Sequence, residues 1–369
     1  MKKIICIFIL FCILLTSVGC DALGGHELGQ RLIIEAIGID SDENGYLLTL
    51  QALDLKNTDP SGSKHPTKLL RFRGKTLGDA FGGIAGATGL TPLYSQARFI
   101  LFGRSAAETG LGAPLDFFMR EYNARSDVLI AVTDGPASDF FGSDDNETIA
   151  AEEIELAMES GSNTGQCAKI PLYCFVSLSL SESDTAYCPI LKKDEKQNTV
   201  TCHRTAFFRD GKWTDTTDER LTEGFLLLQG ELKNATVTVH TNDGAFTLRV
   251  INAEREIKLS GDANSQIIMN VKVVADVIEY ESGGFYDLGE EEVNAVGSAL
   301  KKELESILKD AFQTFYTDWN MDVCRLFRRF RLLHPNKYSS YNYTILEDFA
   351  DGFICYVSVT VRRTGREQM

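Results

Sequence analysis

Cys20 is the residue whose type and position most directly suggest chemistry. It follows Gly19 immediately, after a basic start and an unbroken apolar run over residues 4–15. A basic start, a short apolar run and small residues before a break are typical of an export signal. The run is shorter than the roughly 20 residues that a membrane-spanning helix needs. The sequence therefore predicts a cleaved signal peptide over residues 1–19, which would place the thiol of Cys20 at the new N-terminus.

The surroundings of Cys20 resemble the bacterial lipobox, in which diacylglycerol alkylates the cysteine thiol before cleavage and the new amino group is acylated. Gly19 is small, as the cleavage site requires, although Ser17 stands where that pattern prefers leucine. Acyl chains contribute roughly 0.8 kcal/mol per buried CH2, and two or more give stable anchoring. We therefore predict S-diacylglycerol and N-acyl modification of Cys20. Plain secretion with an incidental cysteine is the alternative.

Four further cysteines are grouped in the middle of the chain. No Cys-x-x-Cys pair is present, and the spacings fit no standard zinc pattern. Export would permit a disulfide within the group, while free buried thiols are the alternative, and the sequence does not fix a pairing. We predict no metal site and no cofactor for these residues: Cys167, Cys174, Cys188 and Cys202.

Signals for an enzyme are scarce. There is no glycine-rich phosphate loop and no Gly-x-Ser-x-Gly motif. The acidic groups at 144–145, 152–153 and 290–292 are interpreted as solvated surface or helix N-termini, where carboxylates favour the helix dipole. The stretch DSDENG at 40–45 is predicted to be a hairpin turn rather than a calcium loop. The prediction is a protein that is not an enzyme.

Charge narrows the choice of partners. Loss of Lys2 and Lys3 with the signal would take the formal charge from −15 to −17. Such an acidic body argues against nucleic acid, which calls for a basic face. The basic run over residues 325–331 is the exception. Its arginines are expected to flank a buried Phe327/Phe330 pair, and contact with lipid headgroups is the alternative.

The elements that position these residues fall into two halves. Residues 20–195 alternate strands with helices, which predicts an N-terminal α/β-type domain with a mixed sheet, as one unit or as two subdomains. Within it, YCFVSLSLS (173–181) is predicted to be a strand. Residues 200–369 are predicted to form a C-terminal α+β domain with an antiparallel sheet. The whole is of α+β class, with mixed sheets flanked by helices in two to three domains.

The C-terminal half contains the clearest periodic pattern. Apolar residues recur every three or four positions over 289–318, which predicts one long amphipathic helix. The stripe consists of Val293, Val296, Leu300, Leu304, Leu308, Phe312 and Tyr316.

In this order, several strings resemble the Ger(x)C family of spore germination lipoproteins, the C subunits of nutrient germinant receptors. They are GC at 19–20, AIGID at 36–40, GYLLTLQ at 45–51, GKTLGDAF at 74–81, LYSQARFILFGRSAAETGL at 93–111, LDFFMREYNARSDVLIAVTDGPASDFF at 115–141, RTAFFRDGKWTDTTDERLTEGFLLLQG at 204–230 and VSVTVRRTG at 357–365. The family's Asp-Ile-Phe-Gly-Phe-Gly stretch appears as DVCRLFRRF, without its glycines.

The resemblance implies a non-enzymatic scaffold or signal-relay subunit on the outer face of the spore inner membrane. It would be held there by lipid on Cys20 and would work with integral membrane A-type and B-type subunits. The alternative from another class is a solute-binding lipoprotein that delivers a small nutrient to a transporter. Ligand-induced closure of two lobes would distinguish that alternative.

Overall fold

The computed structural model describes residues 31–54, 67–121, 125, 127–141, 151–194, 196–197, 199–259, 266–281, 288–333, 335 and 345–362. Gly19, Cys20 and the acidic pair at 144–145 lie outside the described residues.

The first sheet has ten strands in the order β10-β9-β8-β6-β5-β1-β2-β3, with β4 beside β1 and β7 beside β6. The centre is parallel, since β1, β5, β6 and β8 run in one direction, and antiparallel hairpins extend it at both ends. The strands are β1 (Arg31–Asp42), β2 (Gly45–Leu53), β3 (Thr67–Gly74), β4 (Thr91–Leu93), β5 (Phe99–Phe102), β6 (Leu129–Thr133), β7 (Ile170–Pro171), β8 (Ala186–Asp194), β9 (Thr199–Arg209) and β10 (Lys212–Thr216).

Helices cover both faces of this sheet, which explains why its central strands read as continuous apolar runs. The helices are α1 (Leu77–Thr88), α2 (Arg104–Thr109), α3 (Gly112–Glu121), α4 (Ala151–Asn163) and α5 (Leu172–Ser179). On β5, Ile100 and Phe102 pack with α1, α3 and α5, while Phe99 and Leu101 pack with α4 on the opposite face.

One predicted strand is a helix. The stretch over 173–181 was predicted to be a strand, but residues 172–179 form α5. Its buried residues Leu172, Phe175 and Leu178 are three positions apart, as one helix face requires. A short apolar run is compatible with both the helical and the strand period. Here the segment is a helix that buries one face against the first sheet. The hairpin predicted at 40–45 is confirmed: it joins β1 to β2, and the Asp42 carboxylate accepts the Asn44 N–H at 2.8 Å.

The second sheet has the order β11-β12-β13-β14 and carries the long helix on one face. Its elements are α6 (Glu219–Gln229), β11 (Ala235–Thr241), β12 (Gly244–Leu259), β13 (Ile267–Tyr280), α7 (Glu290–Gln313), α8 (Leu326–Leu333), α9 (Ile345–Asp351) and β14 (Phe353–Arg362). A π-helical turn, Thr314–Asp318, follows α7 directly. The long amphipathic helix is thus confirmed, with Val296, Leu300, Leu304, Leu308 and Phe312 buried.

The prediction of a wholly antiparallel second sheet was wrong, because β14 pairs parallel to β13. The chain between these two strands contains α7, α8 and α9. Parallel neighbours need such a crossover connection, which returns the chain to the end where β13 began.

The α+β class with mixed sheets and two domains is confirmed. The predicted division into residues 20–195 and 200–369 stays a prediction. Strands β9 and β10 lie beyond that division in sequence but belong to the first sheet, which ends at Thr216. Residues 199–216 therefore complete the first sheet, although the predicted division assigns nearly all of them to the C-terminal domain.

Candidate functional site: the junction between the two sheets

An aromatic cluster joins the two sheets. Phe207 on β9 lies with its ring centroid 4.9 Å from that of Phe225 on α6 and 4.9 Å from that of Phe315 in the π-helical turn. Trp319 completes the contact at 5.7 Å from Phe207. The three phenylalanines are fully buried. Edge-to-face and tilted aromatic pairs add roughly 0.5–1.5 kcal/mol beyond their area burial. The cluster therefore stabilises the packing of the first sheet against the second domain. We call this cluster, with the Asp322 carboxylate described next, the junction.

Asp322 provides the polar part of the junction. Its side chain is 1% exposed and accepts four hydrogen bonds. Tyr316 Oη donates at 2.7 Å and Ser183 Oγ, from the first domain, donates at 2.8 Å. The backbone N–H groups of Leu326 and Phe327 donate at 2.7 and 3.0 Å. Asp322 therefore satisfies the first turn of α8 and ties it to the first domain.

Two arginines reinforce this region through carbonyl oxygens. Arg209 at the end of β9 donates to the carbonyl oxygens of Trp319 and Asn320, each at 2.6 Å. Arg255 on β12 donates to the Leu228 carbonyl at the end of α6. Lone carbonyls at helix ends otherwise need water or a cap, and here the guanidinium groups supply the donors.

A polar cleft of about 630 Å³ opens beside the junction, between the two domains. It is lined by Asn163, Thr164, Gly165, Gln166, His203, Glu219, Glu223, Asn234, Thr236 and Arg249. Burial raises the pKa of the Glu223 carboxyl from its usual 4.5 to about 7. The cleft therefore contains one carboxyl whose charge changes near neutral pH.

Replacing Glu223 with glutamine is expected to stabilise the protein at pH 8 and to change little at pH 4. Because the folded-state pKa lies above the usual 4.5, the folded protein holds the proton more tightly than the unfolded chain. Its contribution to stability is complete below pH 4.5 and is lost as the pH rises through about 7. After allowance for solvent screening, we expect the variant to be more stable by about 1 kcal/mol at pH 8. Urea unfolding of both proteins between pH 4 and pH 8 measures this difference.

Glu219→Gln is the matched control, because Glu219 lies on the same helix and lines the same cleft but is exposed. A pH-independent difference between wild type and Glu223→Gln would contradict the assignment of the raised pKa to Glu223.

The acidic groups at 152–153 and 290–292, which the sequence analysis singled out, each lie at the start of a helix. Glu152 and Glu153 lie in the first turn of α4, and Glu290, Glu291 and Glu292 lie in the first turn of α7. Glu292 accepts the Gly289 N–H at 2.6 Å. Their placement agrees with the interpretation as helix N-termini. Among the residues with described positions, no three His, Cys, Asp or Glu side chains are grouped so that they could hold a metal ion.

The basic run lies on α8. Arg328, Arg329 and Arg331 are exposed, Phe330 is buried, and Arg331 forms an ion pair with Glu182 of the first domain. The predicted burial of the phenylalanine pair is confirmed for Phe330, whereas Phe327 is half-buried.

The cysteine group separates in the structure. Cys167 and Cys202 approach each other in the interior, whereas Cys188 lies on β8 and Cys174 on α5, half-exposed. Sequence reasoning did not single out Asp322, Arg209 or Glu223. The one available signal was that Asp322 precedes the basic apolar run of α8, as N-terminal capping residues do.

Across the described ranges, no helix is both long enough and apolar enough to cross a bilayer.

Both halves of the chain match models of known protein families. Residues 24–193 match the spore germination protein N-terminal domain, and residues 203–365 match the spore germination B3/GerAC-like C-terminal domain. The gap between the two matches coincides with the β8–β9 hairpin, within the first sheet.

Individual relatives agree with this assignment. Spore germination protein A3 of Bacillus subtilis (strain 168) is 24% identical over 262 residues, which are 69% of this chain and 68% of that protein. The crystal structure of the GerBC protein superposes with a TM-score of 0.53 at 15% identity, covering 88% of this chain and 96% of that one. That structure supports the fold. With both halves matched in the same order, this chain belongs to the Ger(x)C family of spore germination proteins and has a role in spore germination.

Proposed function

We propose that this chain is the lipid-anchored C subunit of a nutrient germinant receptor, a scaffold or signal-relay subunit without enzymatic activity. It would sit on the outer face of the spore inner membrane, held by diacylglycerol and an N-acyl chain on Cys20. Integral membrane A-type and B-type subunits would be its partners and would carry out the transmembrane step. The family membership of both halves supports this proposal.

The observation that carries the scaffold role is the junction. Asp322 receives hydrogen bonds from both domains, and Phe207 is enclosed by aromatic rings from the second domain. Breaking either set of contacts would expose buried apolar surface or leave buried donors unsatisfied, which costs several kcal/mol. Two domains joined in this way move as one body, so that a force or contact at one end is transmitted to the other.

The cleft beside the junction favours the second candidate, a solute-binding lipoprotein. Its polar lining, including His203, Glu223 and Arg249, offers donors and acceptors to a small nutrient. Solute-binding proteins close their lobes around a ligand by hinge motion. The buried junction lies where such a hinge would have to bend, so we place the scaffold role first.

The N-terminus of the protein isolated from the membrane fraction tests the anchor. We expect the peptide that begins at Cys20 to carry the added mass of diacylglycerol and of one amide-linked acyl chain. Because the lipid alone would hold the protein, Cys20→Ala should appear in the soluble fraction. Mass spectrometry of the N-terminal peptide and fractionation of both proteins measure these outcomes.

Cys174→Ala is the matched control, since it removes a half-exposed thiol and should leave the protein in the membrane. An unmodified Cys20 on a soluble native protein would overturn the anchor. Co-purification of two integral membrane proteins with the native chain would support the receptor role. Ligand-induced compaction of the isolated body, measured by small-angle scattering, would favour the solute-binding role instead.

A further inference from the structure

Two thiols from distant parts of the first domain meet in its interior. Cys167 follows α4 and Cys202 lies on β9, 35 positions later, and their Sγ atoms are 2.8 Å apart. Non-bonded heavy atoms rest at roughly 3.5–4.0 Å, and a covalent S–S bond measures about 2.05 Å. The two sulfur atoms are therefore closer than two separate thiols would stay. A small movement of either side chain would bring them to bonding distance.

Packing around the two thiols holds them together. Cys167 is 0% and Cys202 2% exposed. Helix α4 passes directly over them at Gly161, where an added Cβ would lie 2.9 Å from Cys167 Sγ and 2.6 Å from the Cys202 carbonyl oxygen. A glycine is required for this close approach. The surrounding residues include Ile154, Met158 and Leu191, which leave the pair in an apolar environment.

Cys188 on β8 and Cys174 on α5 pack in the apolar cluster on the other face of the first sheet from Cys167 and Cys202. The two later cysteines, Cys324 and Cys355, have other neighbours. Cys324 Sγ approaches the Leu228 carbonyl oxygen at 3.7 Å and Arg255 at 3.3 Å. Cys355 Sγ approaches the Glu305 carbonyl oxygen at 3.9 Å. The geometry thus selects one pairing from the cysteine group that the sequence left open.

We propose that Cys167 and Cys202 form an intrachain disulfide in the exported protein. The proposal rests on the export that the proposed function requires, since oxidising compartments lie outside the cytosol. The electron acceptor is a disulfide carried by a thiol–disulfide oxidoreductase. The thiolate of one cysteine attacks that disulfide and forms a mixed disulfide, and the second thiolate then displaces the enzyme. The chain loses two electrons and two protons, and the oxidoreductase leaves as a dithiol.

The bond would form during folding rather than afterwards. Burial raises the pKa of the Cys202 thiol well above its usual value, and only the thiolate is reactive. In the folded chain, the pair is closed off by α4 and inert. The disulfide would therefore be structural, tying the segment after α4 to β9, the strand that also carries Phe207 and Arg209 of the link between domains.

Alkylation of the full chain from the membrane fraction tests the proposal. The protein is denatured without reductant in the presence of N-ethylmaleimide and then digested. We expect Cys174, Cys188, Cys324 and Cys355 to carry the alkyl group. Peptides of Cys167 and Cys202 should be linked and two hydrogens lighter than the separate reduced peptides. Alkylated Cys167 and Cys202 in this sample would overturn the proposal.

Matched variants separate the bond from simple packing. Cys167→Ser should leave Cys202 alkylated, whereas Cys174→Ser should leave the linked peptide intact. Because the folded chain shields the pair, the wild type is unfolded, reduced and refolded with reductant present. Its unfolding midpoint should then be about 5–10 °C lower than that of the unreduced protein, and the same treatment should leave the midpoint of Cys167→Ser unchanged. Equal midpoints of the unreduced wild type and of the wild type reduced while unfolded would contradict the bond.

The same digest reports the state of Cys20, which keeps the two proposals apart. Lipid on Cys20 with free Cys167 and Cys202 would refute the disulfide alone. An unmodified Cys20 with the linked peptide present would refute the lipid anchor alone. Refolding the reduced chain in a buffer of oxidised and reduced glutathione gives a test that does not depend on the compartment from which the protein was isolated. The same linked peptide is expected in that experiment.

Discussion

Replacing Asp322 with alanine is expected to lower the free energy of unfolding by about 3–5 kcal/mol, because it removes the acceptor of four hydrogen bonds and each buried donor left unsatisfied costs roughly 1–3 kcal/mol. The carboxylate is 1% exposed and accepts hydrogen bonds from Tyr316, Ser183 and two N–H groups of α8. Alanine would remove the acceptor from all four donors, of which Tyr316 Oη and the Leu326 N–H are buried. Unsatisfied buried donors cost more than the bonds are worth. Urea unfolding of the purified mature chain measures the loss.

Asp318→Ala is the matched control, because Asp318 is an exposed aspartate four residues earlier. It should change stability by no more than about 0.5 kcal/mol. Asp322→Asn should fall between the two, since an amide keeps one acceptor oxygen but brings its own donors. Equal stability of the Asp322 and Asp318 variants would contradict the central position given to the Asp322 carboxylate.

Replacing Phe207 with alanine is expected to cost about 3–5 kcal/mol, the range for large-to-small changes of a buried phenylalanine. The ring is fully buried and contacts Phe225, Phe315 and Trp319 of the second domain. Its loss would open a cavity at the point where the domains meet. We therefore expect a lower unfolding midpoint together with faster proteolysis between the domains, read from the fragments that limited trypsin digestion releases.

Tyr173→Ala serves as the control, because Tyr173 is an aromatic residue of the first domain that is 51% exposed. A double variant with Phe315→Ala should lose less than the sum of the two single losses, since both rings belong to one cluster. Additive losses would show that the two rings act independently and would contradict a single aromatic cluster.

Both predictions bear on the proposed role. A scaffold must transmit contacts between its domains, and the junction connects the two domains through buried side chains. Variants that loosen the junction and still carry lipid on Cys20 should remain in the membrane fraction but lose function in germination. Anchor and scaffold roles are thus separable in one set of proteins.

Part of this structure was readable from the sequence. The stripe over 289–318 identified α7, and Asn44-Gly45 identified the β1–β2 hairpin, because each signal is confined to neighbouring residues. The sequence pattern did not identify the α5 helix. Residues 172–179 are too few for the helical and strand periods to differ clearly. Only burial against the first sheet distinguishes them.

The junction was beyond sequence reasoning. Asp322 and Ser183 are 139 positions apart, and nothing in either local pattern predicts their hydrogen bond. Phe207 reads as one more apolar residue of a strand, and its role follows only from the second domain that covers it. Glu223 reads as an ordinary surface carboxylate, and its raised pKa comes from burial.

By itself, the sequence determined the acidic character of the body, the α+β class and the positions of most helices and strands, while the export signal with Cys20 stays a prediction. Those properties depend on composition and on patterns between near neighbours, which the chain carries before it folds. The tertiary structure alone decided that β9 and β10 extend the first sheet, that β14 lies parallel to β13, and which cysteines meet. These features depend on the path of the chain through space. Periodicity shows which face of an element is buried, but not which distant segment covers that face.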